Sequence, residues 1–132
     1  MSAQAHSARH VLLLDDEEAI LLPTARYFRS LGCAVDMARE PEEAEALINH
    51  RRYDLAILDL RVARFGGTEG LDVLREIRRR DHDTSVIVLS AYISPEVEDQ
   101  ARALGADSVI RKPLPLPDLA HLAFALMGAA RE

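Results

Sequence analysis

The chain has 132 residues, 48% of them hydrophobic, and a formal net charge of -6. That length suits one domain with a real core, and the acidic balance makes nucleic acid a poor partner for this chain. No apolar run approaches the roughly 20 residues that span a bilayer, residues 1–9 read as a flexible polar tail without a signal-peptide core, and Cys33, alone, excludes an internal disulfide and fits a reducing cytoplasm.

Apolar runs then alternate with stretches of helical period. Residues 10–15 read as a buried strand ending in Asp15-Asp16-Glu17-Glu18. Residues 17–31 place Ile20, Leu21, Thr24, Phe28 and Leu31 at helical spacing, and Gly32 supplies a stop. Pro23 falls inside that helix and predicts a kink or a late start. Cys33–Met37 reads as a short second strand. Pro41 opens a helix to about Asn49, with Ala44, Leu47 and Ile48 facing inward.

Residues 54–59 form a third strand whose unbroken apolar run predicts burial on both faces. An Arg- and Gly-rich loop runs from Leu60 to about Glu69. Gly70–Arg80 is a helix with Leu71, Leu74 and Ile77 inside, and Arg78-Arg79-Arg80 read as a solvated helix end. Thr84–Ser90 is a fourth strand. Ser94 and Pro95 cap a helix to about Leu104, which Gly105 ends. Asp107–Ile110 is a fifth strand, and prolines 113, 115 and 117 punctuate the entry to a last helix, Leu116–Met127. Five strand–helix units with right-handed crossovers give an α/β fold, a doubly wound parallel sheet with helices on both faces.

In such a sheet, ligands bind at the carboxyl ends of the strands. Asp15, Asp16, Asp59, Ser90 and Lys112 all follow apolar runs, so they converge on one pocket. Three carboxylates, a hydroxyl and an ammonium there point to magnesium-dependent phosphoryl chemistry. Singly, each residue has a structural reading. Asp15 and Asp16 can cap a helix, Asp59 and Ser90 can end strands, and Lys112 can sit in a surface turn. Their conjunction favours the site. Glu17 is a weaker candidate near a metal, and Tyr92 either flanks the site mouth or packs.

Together these residues resemble the receiver domain of two-component response regulators, the CheY-like fold. Asp15-Asp16, Asp59, Ser90-Ala91 and Lys112-Pro113 carry the resemblance, which covers residues 10–128 of this chain. It implies a (βα)5 flavodoxin-like sheet with strand order 2-1-3-4-5 and a single receiver domain over residues 10–130. It implies that Asp59 is the phosphoacceptor, that Asp15, Asp16, Asp59 and the backbone carbonyl of Arg61 hold Mg²⁺, and that Ser90 follows the phosphoryl group. Lys112 is implied as its cationic partner, with a cis bond to Pro113. The expected donor is a sensor histidine kinase or a histidine phosphotransfer protein. A downstream protein target then reads the face of the fourth helix, fifth strand and fifth helix, where a homodimer can also form. A stand-alone regulator and a receiver from a longer protein both remain open, with Met1 and the Ala-Ala-Arg-Glu ending leaning toward the former.

Two departures from the family pattern stand out. Val109 occupies the usual aromatic position three residues before the lysine, so output is expected to depend on displacement around residues 91–104. After Asp59, Ala63 stands at the usual proline position and Gly70 is the matching glycine, three residues late. Arg61 or Arg64 in that longer loop is a candidate to alter hydrolysis, beside the alternative of a tolerated insertion. Among other functions, a flavin or nucleotide carrier would need a Ser/Thr/Gly-rich cradle where this chain has Asp-Asp-Glu-Glu. An aspartyl phosphatase would need an acid where Arg61 stands. A pseudo-receiver that only binds proteins is the alternative that Asp16, Asp59 and Lys112 argue against.

Overall fold

The computed structural model describes the backbone of residues 8–60 and 69–131. In chain order these form β1 (His10–Leu14), α1 (Glu18–Ser30), β2 (Ala34–Ala38), α2 (Pro41–His50) and β3 (Leu55–Leu58). Next come α3 (Glu69–Arg80), β4 (Ser85–Ser90), α4 (Pro95–Ala103), β5 (Ser108–Arg111) and α5 (Leu116–Arg131). The strands pair in parallel in the order β2-β1-β3-β4-β5, a CheY-like flavodoxin fold.

The period of two along each strand divides the core into two layers. Leu12 and Leu14 of β1 and Ala56 and Leu58 of β3 face α2, α3 and α4, where Ala44, Ile48, Leu71, Leu74, Ile77 and Ala101 are buried. Val11, Leu13, Leu55 and Ile57 face α1 and α5, and meet Leu21, Phe28, Leu119, Ala123 and Met127. β3 and β4 are buried along their whole length, as central parallel strands covered on both sides must be. The edge strand β5 is only half-buried.

Helix α1 does not start late: it begins at Glu18 and runs through Pro23 to Ser30. Proline removes the bond to the carbonyl four residues earlier, that of Ala19. Pro23 and Ala19 are both exposed, so water can take that acceptor. Leu31, expected inward, is 45% exposed. It follows the last helical residue as the cap, and Gly32 then turns the chain with a φ of 95°. Ser94 caps α4 as expected, its hydroxyl accepting from the Val97 amide at 3.1 Å.

Arg78 is the second correction. Arg79 and Arg80 lie in solvent, but the Arg78 side chain is only 15% exposed. It donates to the carbonyls of Gly105, Thr84 and Asp81 and to the Asp107 carboxylate. Apolar periodicity cannot reveal such a role, because most of its acceptors are backbone oxygens.

Candidate phosphoryl site

Each site residue sits at or just beyond the last rung of a strand ladder. The Asp15 amide donates to Ala38 of β2 at 3.1 Å, and the Asp59 amide donates to Leu14 of β1 at 2.9 Å. The Lys112 amide donates to the Ser90 carbonyl at 2.9 Å. The backbone ladder therefore fixes four side chains around the carboxyl end of β1, β3, β4 and β5. Gly70, the first glycine of α3, lets that helix start against β3. A Cβ there would lie 2.9 Å from the Leu60 Cα and 3.3 Å from the Asp59 carbonyl oxygen. The sequence marks Gly70 only through the family resemblance; its physical role is this close approach to the backbone of Asp59.

Lys112 stands between the buried carboxylates. Its Nζ is 2.7 Å from Asp15 Oδ2 and 3.1 Å from Asp59 Oδ2, with Glu17 Oε1 farther off at 3.9 Å. Burial pulls the ammonium down, but the hydrogen bond to Asp15 and the charges of Asp59 and Asp15 outweigh it, and Lys112 ends above its ordinary value. Asp15 is pushed above the ordinary carboxylate range. Burial is the main cause, opposed by hydrogen bonds from Lys112 and the Glu17 amide. The Lys112–Pro113 bond is cis.

Asp15, Asp16 and Asp59 each bring a carboxylate oxygen within 4.8 Å of the others. Asp15 and Asp59 are buried and Asp16 is exposed, so the cluster has a dry floor and a wet mouth. Three carboxylates face one ammonium, which leaves an excess of negative charge. Hard oxygen donors with that excess suit a hard divalent cation such as Mg²⁺. The fourth expected ligand, the Arg61 carbonyl, lies outside the described residues, as do Ala63 and Arg64.

Ser90 is fully buried, and its hydroxyl has no hydrogen-bond partner among the described residues. An orphaned hydroxyl beside a charged pocket is in position to bond with something that arrives there. Tyr92 is 70% exposed and so is not packed into the core. Val109 is half-buried and packs against the α2–α3–α4 layer.

A family model for the response regulator receiver domain matches residues 11–124. The chain belongs to this family. AlgB of Pseudomonas aeruginosa, an alginate biosynthesis transcriptional regulatory protein, is 33% identical over 132 residues, which cover all of this chain and 28% of that protein. ActR of Sinorhizobium medicae, an acid tolerance regulatory protein, is 35% identical over 111 residues, 84% of this chain and 56% of its own length. The chain therefore spans between about a quarter and just over half of these curated relatives. Among solved structures, a CheY-like receiver protein from Methanospirillum hungatei superposes with a TM-score of 0.89 at 26% identity, covering 95% of this chain and 98% of that one. Phosphorylation and Mg²⁺ binding are general to receivers. Among the described residues, no helix is long and apolar enough to cross a membrane.

Proposed function

We propose that this receiver is a cytoplasmic switch that takes a phosphoryl group onto Asp59 from the phosphohistidine of a sensor kinase or a histidine phosphotransfer protein. An Asp59 carboxylate oxygen attacks the phosphorus, the P–N bond breaks, and the imidazole leaves with the electron pair and takes up a proton. Water later attacks the acyl phosphate, returning the carboxylate and inorganic phosphate. Asp15, Asp16, Asp59 and the Arg61 carbonyl would hold Mg²⁺, which neutralises charge on the phosphoryl oxygens when bound.

This chain's own groups do the remaining work. Lys112, already between Asp15 and Asp59, meets the phosphoryl oxygens with a fixed positive charge. The orphaned Ser90 hydroxyl donates to one of them. Moving to do so, it pulls on residues 91–94 and changes the surface of α4, β5 and α5 that a downstream protein reads. The observation that supports this most is the ammonium of Lys112 held by two buried carboxylates at the end of β1 and β3.

The test uses acetyl phosphate with and without Mg²⁺, read by intact mass beside Asp59→Asn. The expected result is one phosphoryl group that requires both Mg²⁺ and Asp59. Modification that persists in Asp59→Asn would move the acceptor elsewhere.

A further inference from the structure

A cavity of about 540 Å³ lies at the amino end of the sheet, at the opposite end of β4 from Ser90. That is the size of a small-molecule pocket. Ser85, the first residue of β4, lines it. Ser85 is only 3% exposed, and its hydroxyl makes no hydrogen bond with any described residue. Its neighbour Thr84 shows the usual fate of a buried hydroxyl, donating to the Tyr53 carbonyl at 2.7 Å. The Ser85 amide is spent on the Asp54 carbonyl at 3.0 Å, which fixes the residue against β3 and leaves the hydroxyl at the cavity wall.

The polar part of that wall is acidic. Asp54, Asp81 and Asp83 line it together with Arg52, so three carboxylates meet one guanidinium and two negative charges are left over. His10 adds no positive charge. Its Nδ1 lies 2.7 Å from Arg51 Nη1, and a guanidinium can only donate, so that ring nitrogen accepts and the imidazole is neutral. The carboxylates are also held apart. Asp54 Oδ2 accepts from the His10 amide at 2.8 Å, and Asp81 takes Arg52 on one oxygen at 2.9 Å and the Asp83 amide on the other at 2.8 Å. Among the described residues, only Asp15, Asp16 and Asp59 bring three such oxygens within 4.8 Å of one another. A single metal ion therefore does not suit the amino-end wall. Its other part is apolar, with Met127 and Tyr53 1% and 6% exposed.

We propose that this cavity binds a small organic cation with two separated nitrogen donors, of the alkyl diamine class. Two ammonium groups answer the two excess charges, and their separation matches carboxylates that cannot close on one ion. One ammonium N–H donates to the Ser85 hydroxyl oxygen, and the methylenes between the nitrogens lie against Met127 and Tyr53. The site shares no residue with the phosphoryl pocket and stands independently of the phosphoacceptor reading.

The test is an NMR titration of the full chain with the four-carbon diamine putrescine. Excess Mg²⁺ is present to occupy the carboxyl-end carboxylates, and a sodium chloride blank matches the ionic strength. The expected result is a saturating shift of the Asp83 and Ser85 amides, with a Kd on the order of 1 mM or tighter. Ser85→Ala is expected to weaken binding roughly fivefold, the scale of one hydrogen bond. Asp83→Asn is expected to weaken it roughly threefold, the scale of one exposed ion pair. Asp83 is exposed, so that variant tests the site even where Ser85→Ala unfolds the protein. Butylamine, with a single ammonium, is expected to bind several-fold more weakly than putrescine. Shifts confined to Asp15, Asp16 and Asp59, or shifts that track the salt blank without saturating, overturn the proposal. So does a saturating shift at Ser85 from Mg²⁺ alone, equal binding of butylamine, or folded variants that bind like the wild type.

Discussion

The two ends of the sheet both bury polar groups, and they treat them in opposite ways. At the amino end, most of the described groups are matched, one terminal nitrogen of Arg9 and the Ser85 hydroxyl being the exceptions. Thr84 Oγ1 donates to the Tyr53 carbonyl at 2.7 Å, and the Tyr53 hydroxyl donates to Asp36 at 2.6 Å. Asp54 accepts from the His10 amide at 2.8 Å, Arg52 pairs with Asp81 at 2.9 Å, and Arg78 has acceptors for all its nitrogens. At the carboxyl end, three carboxylates cluster, two of them paired with the Lys112 ammonium, and the Ser90 hydroxyl has no partner among the described residues. A larger cavity, about 540 Å³, lies at the amino end beside His10, Arg52 and Asp81. Size therefore does not mark the site. Matched polar groups hold a fold together, whereas an unmatched hydroxyl beside clustered carboxylates suits a ligand.

The sharpest way to break this contrast is to remove the cation that pairs with Asp15 and Asp59. Lys112→Met is expected to lower the rate of phosphorylation by acetyl phosphate about 100-fold or more, the scale seen when a positioned charge stabiliser is lost from a reacting group. Mass spectrometry against time measures it. A rate within twofold of the wild type would mean that Lys112 is structural, like the groups at the other end.

The matching experiment at the amino end predicts lost stability with phosphorylation kept. Arg78→Ala leaves the carbonyls of Gly105 and Thr84 and the Asp107 carboxylate without their buried donor. The expected cost is about 3 kcal/mol in urea unfolding. The rate of phosphorylation of the folded protein is expected to stay within a few-fold. A loss of rate with no loss of stability would erase the distinction between the two ends.

Arg78 also shows where the sequence stops being readable. The strands, their burial and the pocket residues follow from apolar period and from position at strand ends, because those depend on neighbours along the chain. Pro23 misleads because its cost depends on whether Ala19 faces water, which only the packed helix decides. Leu31 misleads because helical spacing continues one residue past the cap. Arg78 looks like Arg79 and Arg80 in sequence, and what separates them is a set of backbone carbonyls brought from three other segments. The hydrogen bond from Arg111 to the Ile93 carbonyl is hidden for the same reason. At the site, strand ends predict that Asp15, Asp16, Asp59 and Lys112 lie together, as they do, but the Lys112 bridge and the orphaned Ser90 hydroxyl come from tertiary geometry alone.

Charge excess at the carboxyl end carries a sign that can be measured. Burial raises Asp15 above its usual value in the folded protein. The fold therefore prefers its protonated form. That contribution is present below the unfolded value and is lost as pH rises through the folded one. In the metal-free protein, charging Asp15 opposes folding, so Asp15→Asn is expected to raise the melting temperature. With Mg²⁺ in excess, the order should reverse, because the wild type gains stability from a ligand that the variant holds less well. A variant less stable than wild type in the metal chelator would show that the Lys112 bridge outweighs the burial of charge.

The smallest effect belongs to Tyr53, a matched group at the amino end. Burial, followed by the hydrogen bond to Asp36 and that residue's charge, raises its phenol well above the ordinary value. The protonated, donating form is thus the one the fold holds. Its contribution is complete below the unfolded value near 10 and is lost as pH rises toward the folded one. Tyr53→Phe removes the donor and leaves Asp36 with Arg51 at 3.7 Å. The expected cost is about 1 kcal/mol at neutral pH, typical of one hydrogen bond. Above pH 10 the difference between variant and wild type should shrink, because the unfolded wild type is stabilised by ionising its phenol while the fold holds the protonated form. Urea midpoints at pH 7 and pH 11 measure both. A constant difference across that range would mean that the hydroxyl acts through packing, and that the amino end is held by shape more than by its hydrogen bonds.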